Sequence, residues 1–302
     1  MKSRTELPLR GLNGSNPLGF LAALGILKVL SEWFPQRDFR LHWKQEAHYV
    51  AVLSANRLPL NFMAVSRYLA VRLRKLPSPN SDEHLPRNLN KWTNAQFRQF
   101  ALNAASKAKE GDQRLAQFAA AFSVDGLVLP EEEIEDSALR TVSGSGRQDL
   151  FPTLEGLRTQ TMDSHLRRTL FASWDYADER LSLRYDPIED RRHALRWTKP
   201  ADEPSRTMWG ANRLAVEAWV LFPTAPVSGQ LRTTGFTKNL FNWPIWEAPL
   251  SLDTIRSLLA LEHLQAREIS RESLQERGIT EVFRSERITV DKFRNFTPSF
   301  SP

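Results

Sequence analysis

Apolar and polar positions alternate from Arg4 to Gly11, with Leu7 and Leu9 on one side, which predicts a short strand. The turn Gly11-Leu12-Asn13-Gly14-Ser15-Asn16-Pro17 follows. Asn16 is a strong N-cap residue, and Pro17 suits the first helical position, where its missing N–H costs nothing. From Leu18 to Phe34 the spacing is helical and apolar on three sides, which predicts a buried helix. Gly19, Ala22, Ala23 and Gly25 lack bulk and would let another backbone come close. Phe39–Trp43 and Tyr49–Leu53 read as the two strands of a hairpin.

Residues 60–76 return to helical spacing, and the proline-rich stretch from Leu76 to Asn90 predicts an exposed loop. Helices are predicted at Asn94–Lys109 and Asp112–Phe122, and one long helix over Leu150–Phe171. A strand at His193–Trp197 and a helix at Trp209–Leu221 follow, then strands at Gln230–Phe236 and Leu240–Trp246. Ser251–Leu261 reads as a capped helix, and the last 25 residues as mixed strand and coil. No internal repeat of about 20–50 residues is visible. Helices and strands without a regular βαβ alternation define an α+β expectation, with antiparallel strands around a buried Gly/Ala-rich N-terminal helix.

Charge divides the 302 residues further. Residues 1–124 carry 18 basic and 8 acidic side chains, and residues 125–136 carry six acids and no base. The acidic run Glu131–Asp136 reads as a solvated connector between a basic N-terminal part, 1–124, and a C-terminal part, 137–302. Of 41 basic residues 31 are arginine, which offers a planar fork to phosphate and stacks on bases. The absence of cysteine excludes disulfides, thiolate zinc sites and a cysteine nucleophile. The polar opening MKSRTELPLR and the lack of an apolar run of roughly 18 residues predict a cytoplasmic protein away from membranes.

Signatures of the common catalytic classes are missing: there is no GxxxxGK[ST], HExxH or GxSxG, and the six histidines are scattered. No cofactor is expected, and no catalytic residue is assigned. Three constellations remain. Arg67, Arg72, Arg74, Lys75, Arg87 and Lys91, beside Tyr68 and Trp92, would suit a groove that tracks a nucleic-acid backbone and stacks bases; the plain alternative is a solvated helix face. Ser143, Gly144, Gly146, Arg147 and Gln148 form a small-residue turn before a helix, able to hold a phosphate or simply to bend. Asp186, Glu189 and Asp190 could bind Mg²⁺ as a metal-dependent nuclease does, or form a turn whose acids and arginines neutralise each other.

The stretch from Gly11 to Gly25 resembles the N-terminal signature of CRISPR-associated proteins of type I-G (formerly I-U) systems. The same likeness returns at Ser143–Asp149, at Arg184–Trp197 and at Thr207-Met208-Trp209-Gly210-Ala211-Asn212-Arg213-Leu214. Two families share it: the large subunit of the surveillance complex, and a short family described as an extension of the helicase–nuclease, which the length favours. The resemblance implies RNA-guided antiviral defence, in which base pairing reads sequence while proteins hold backbone. The expectation is a non-catalytic component that binds crRNA or target DNA, or a surveillance-complex or helicase–nuclease subunit already bound to nucleic acid. The alternatives are the nuclease above and a pure protein–protein adaptor.

Overall fold

The computed structural model describes residues 4–56, 61–79, 84–127, 132–142, 149–189, 205–266, 268–290 and 293–302. The alternating start forms β1 (Arg4–Asn13), and the capped apolar run forms α1 (Pro17–Trp33). The hairpin strands are β2 (Arg40–Gln45) and β3 (Tyr49–Asn56), followed by α2 (Phe62–Lys75). Next come α3 (Asn94–Lys109), α4 (Arg114–Phe122), α5 (Leu150–Gln160) and α6 (Asp163–Phe171). A short pair, β4 (Asp178–Glu179) with β5 (Arg206–Thr207), precedes α7 (Trp209–Ala218). The remainder is β6 (Thr224–Val227), β7 (Gln230–Thr233), β8 (Phe236–Thr237), β9 (Leu240–Trp246), α8 (Leu252–Leu259), α9 (Arg271–Gln275), β10 (Ile279–Val290) and β11 (Phe293–Phe296). Among the described residues all pairings are antiparallel, in a three-stranded sheet of order β1-β3-β2, a four-stranded sheet of order β11-β10-β9-β8 and two isolated pairs. The fold is α+β.

Asn16 caps α1 as its residue type requires: its Oδ1 accepts from the N–H of Leu18 at 2.8 Å and of Gly19 at 3.1 Å. Every residue from Pro17 to Leu30 is buried, so α1 runs through the core. Its Phe20 packs against Trp43 of β2 and against Phe241, Trp243 and Trp246 of β9, joining the two larger sheets through one aromatic cluster. Gly25 rests on the backbone of α7, where any added Cβ would collide with the Leu214 carbonyl. The expected close approach is therefore real, and α7 is the neighbour.

A lysine inside this apolar helix demands a partner. Lys28 Nζ lies 3.1 Å from Glu32 and 3.3 Å from Glu217 of α7. Glu217 is fully buried and also accepts from both terminal nitrogens of Arg114 on α4 and, at 2.8 Å, from Arg213 Nη1. Arg213 Nη2 donates to the Leu73 carbonyl of α2 at 2.9 Å. Burial pushes the Glu217 carboxyl up, but Arg114, Arg213 and Lys28 outweigh it and hold the group well below the usual range.

Several readings differ from expectation, among them the strand over Gln230–Phe236, which turns at Thr234-Gly235 between β7 and β8. The long helix over Leu150–Phe171 is broken at Thr161 and Met162, both extended. The break lets α5 bury Leu150, Leu154 and Leu157 while α6 turns Leu166 and Leu170 inward, and His165 Nδ1 accepts from the freed Met162 N–H at 2.9 Å. Nor is the acidic run simply solvated. Ile134 is buried, the Ser123 hydroxyl donates to the Glu135 carbonyl at 2.6 Å, and Glu135 Oε2 accepts from the Leu231 N–H at 3.0 Å. The strand expected at His193–Trp197 lies outside the described residues. Among the described residues, no helix is long and apolar enough to cross a membrane.

Candidate functional site

Helix α2 starts where Asn61 Oδ1 accepts from the Ala64 N–H at 2.8 Å. Helical spacing then turns Val65, Ser66, Leu69 and Leu73 inward. The outward side carries Phe62 and Met63, each 52% exposed, Tyr68 at 49% and Val71 at 47%. Arg67, Arg74 and Lys75 are exposed on the same helix, and among the described residues no acid pairs with them. Basic and large apolar side chains are thus interleaved along about four turns.

The other three bases of the expected groove behave differently. Arg72 is half-buried, with its guanidinium carbon 5.8 Å from the centre of the Trp33 ring, a cation–π placement. Arg87 pairs with Asp149 at 3.1 Å and Lys91 with Glu133 at 3.0 Å, so neighbouring carboxylates already compensate both. Trp92 cannot stack a base. It is fully buried, stacks on Phe151, meets Phe100 edge-on and donates its indole N–H to the Pro86 carbonyl at 2.9 Å. Tyr68 keeps its exposure and touches Trp33 and Phe34 edge-on. The phosphate-turn residues Ser143, Gly144, Gly146, Arg147 and Gln148 lie outside the described residues.

The acids read as a possible metal site are in the core. Asp186 and Glu189 are both buried, and Asp190 lies outside the described residues. Asp186 accepts from the Tyr176 hydroxyl at 2.9 Å and the Ile188 N–H at 3.0 Å, with the Asn16 side chain also within hydrogen-bonding reach. Glu189 accepts from the hydroxyls of Ser182 and Thr207. Asn212 extends the network: its Nδ2 donates to Thr207 Oγ1 at 2.9 Å and its Oδ1 accepts from the Leu183 N–H at 2.8 Å. Burial pushes Asp186 up; burial and the nearby Asp186 charge push Glu189 up to about 7. The charge of Arg184 acts on Glu189 in the opposite sense, and its Nη1 also lies 3.4 Å from Asn295 Oδ1. Among the described residues, no three His, Asp or Glu side chains are grouped to hold a metal ion.

Three separate sequence stretches meet in this cluster: Asn16 from the first turn, Asp186 and Glu189, and Thr207 with Asn212. Tyr176, Ser182, Thr207 and Asn212 carry no signal of their own as partners of these acids. Thr207 and Asn212 do fall within one of the stretches of family likeness. No family model matches the chain, and neither a curated protein nor a solved structure shows significant similarity to it.

Proposed function

We propose that the chain is a non-catalytic nucleic-acid-binding component of a type I-G-like CRISPR defence system, and that α2 holds the sugar–phosphate backbone. The observation that carries this reading is the outward side of α2, where Arg67, Arg74 and Lys75 stand beside the exposed ring of Tyr68 and, among the described residues, no acid compensates them. Uncompensated bases attract phosphate, and a half-exposed ring next to them offers a stacking surface. The CRISPR context rests on the sequence likeness at residues 11–25, 143–149, 184–197 and 207–214. Hydrogen bonds from hydroxyls and backbone occupy Asp186 and Glu189, which supports a role in the core for them rather than in cleavage. CRISPR genes beside this one would support the context, and their absence would remove it.

Salt dependence tests the binding mode. The logarithm of affinity should fall with log salt by ~0.7 per neutralised phosphate on a single strand and ~0.9 on a duplex. Changing Arg67, Arg74 and Lys75 together to Ala should flatten that slope by about two to three, with the melting temperature almost unchanged. Phe62, Met63 and Val71, exposed on the same helix, favour a second reading in which α2 docks on a protein subunit. An unchanged slope in the triple variant would reject the backbone contact and leave the adaptor reading.

A further inference from the structure

Away from α2, the β10–β11 hairpin brings two arginines onto one face. Arg287 pairs with Phe296 and Thr289 with Arg294, so Arg287 and Arg294 are diagonal cross-strand neighbours. Both are half-buried. Arg140, buried beneath them, spends Nε and Nη2 on the two carboxylate oxygens of Asp136 and Nη1 on the Val142 carbonyl at 2.6 Å. Asp136 is the one carboxylate among the described residues whose charge acts on both Arg287 and Arg294. Among the described residues, three guanidiniums therefore share Asp136.

Arg287 is held in place: Nη1 donates to the Ala138 carbonyl at 2.7 Å and Nη2 to Asn239 Oδ1 at 3.1 Å. Arg294 has no hydrogen-bond or ion-pair partner among the described residues. Burial, and after it the charge of Arg294, push Arg287 down to about 10, with Asp136 acting the other way. Arg287 also borders a cleft whose wall holds the carboxylates of Glu135, Asp136 and Glu262 as well as Lys238, and Arg294 stands outside that wall.

We propose that Arg294 and Arg287 form a recognition site for a terminal phosphate, the monoester of a free nucleotide or of a nucleic-acid strand end. A phosphodiester inside a strand carries one charge, whereas a monoester approaches two at neutral pH, one for each of the two guanidiniums. The planar fork of Arg294 suits two phosphate oxygens, and a pre-positioned Arg287 gives up little side-chain freedom on binding. The site stands apart from α2 and does not depend on backbone binding there.

The test uses the whole protein and single-stranded DNA decanucleotides with a phosphate at the 5′ or 3′ end or hydroxyls at both, followed by fluorescence anisotropy. One phosphorylated form should bind about tenfold tighter than the hydroxyl form, and Arg294→Gln should abolish the difference. The Arg67/Arg74/Lys75→Ala variant should keep it, which separates failure of this site from failure of the α2 contact. Competition by adenosine monophosphate, lost in Arg294→Gln, would support a free nucleotide as the source; end discrimination without such competition would support a strand end. Equal binding of all three decanucleotides together with no competition would overturn the site, as would full discrimination surviving in Arg294→Gln. Should Arg294→Gln fail to fold, Arg294→Lys, which keeps the charge and loses the fork, should show a reduced difference, and an undiminished one would overturn the site.

Discussion

Two buried carboxyl sites involve α7, and the protein keeps them by opposite means. At Glu217, on α7 itself, three cations converge on one acid and hold it ionised. At Asp186 and Glu189, hydroxyl and amide donors do the holding, and burial pushes both acids up. The first arrangement ties α1, α2, α4 and α7 together by charge. The second ties the first turn, the Tyr176 segment and the start of α7 together by hydrogen bonds that do not require the acids to be ionised. The same residue chemistry therefore gives a pH-insensitive knot near neutrality in one place and a titrating cluster in the other.

The largest effect should come from removing the charge at the knot. Glu217→Ala leaves Lys28, Arg114 and Arg213 without their shared carboxylate, two of them in the core. Breaking a buried ion cluster from one side costs about 3–5 kcal/mol, which chemical denaturation would measure. A loss within about 0.5 kcal/mol would mean that solvent or Glu32 already satisfies these cations, and the contrast with Glu189 would collapse. The pH dependence has a definite sign. An acid held below its ordinary value of 4.5 contributes stability present above that pH and lost as pH falls below it. Glu217 therefore contributes to acid lability.

The local parts of this design are legible in the sequence. Asn16 and Pro17 mark the start of α1, and Gly25 marks the close approach, because cap chemistry and missing bulk act over a few residues. The outward placement of Arg67, Arg74 and Lys75 follows from helical spacing alone. What could not be read is pairing across the fold. Lys28 and Glu217 are 189 positions apart, and nothing near Lys28 names its partner. Arg87 and Lys91 look as free as Arg74 until Asp149 and Glu133 arrive from distant segments. Trp92 reads like a stacking platform because a ring between cations looks the same in sequence whether it faces solvent or, as here, Phe151 and Phe100. The break at Thr161 was equally hidden, since α5 and α6 each keep a good apolar face and only their different neighbours require the bend.

A smaller effect, of opposite pH sign, should come from Glu189→Gln. Glutamine can keep an acceptor toward one hydroxyl, and the rotatable hydroxyls of Ser182 and Thr207 can turn to accept from its amide. It carries no charge at any pH. In the parent protein the folded value of about 7 stands above the ordinary 4.5, so the folded state binds the proton more tightly. The stability from this group is complete below about pH 4.5 and is lost as pH rises through about 7. Stability of the Gln variant relative to the parent should thus improve by ~1–3 kcal/mol between pH 4.5 and pH 8. A difference that stays constant over this range would show that Glu189 does not titrate there, and the two acids would no longer be opposites.

The smallest effect, a change of about 1 kcal/mol between low and high pH, separates Asp186 from Glu189 within their shared cluster. Tyr176→Phe removes one hydroxyl donor from Asp186 and leaves the ring, which packs edge-on against Trp174. When Asp186 is neutral the loss should be about 0.5–1.5 kcal/mol, the net worth of an ordinary hydrogen bond. When it is ionised the same donor is worth about 1.5–3 kcal/mol, because hydrogen bonds to charged groups are stronger. Removing a donor that favours the ionised form also pushes the acid further up, so the loss should grow as pH rises. Denaturant melts of parent and variant at pH 4 and pH 8 measure this directly. An equal loss at both would mean that Asp186 keeps one protonation state throughout, and the titrating character of the cluster would then belong to Glu189 alone.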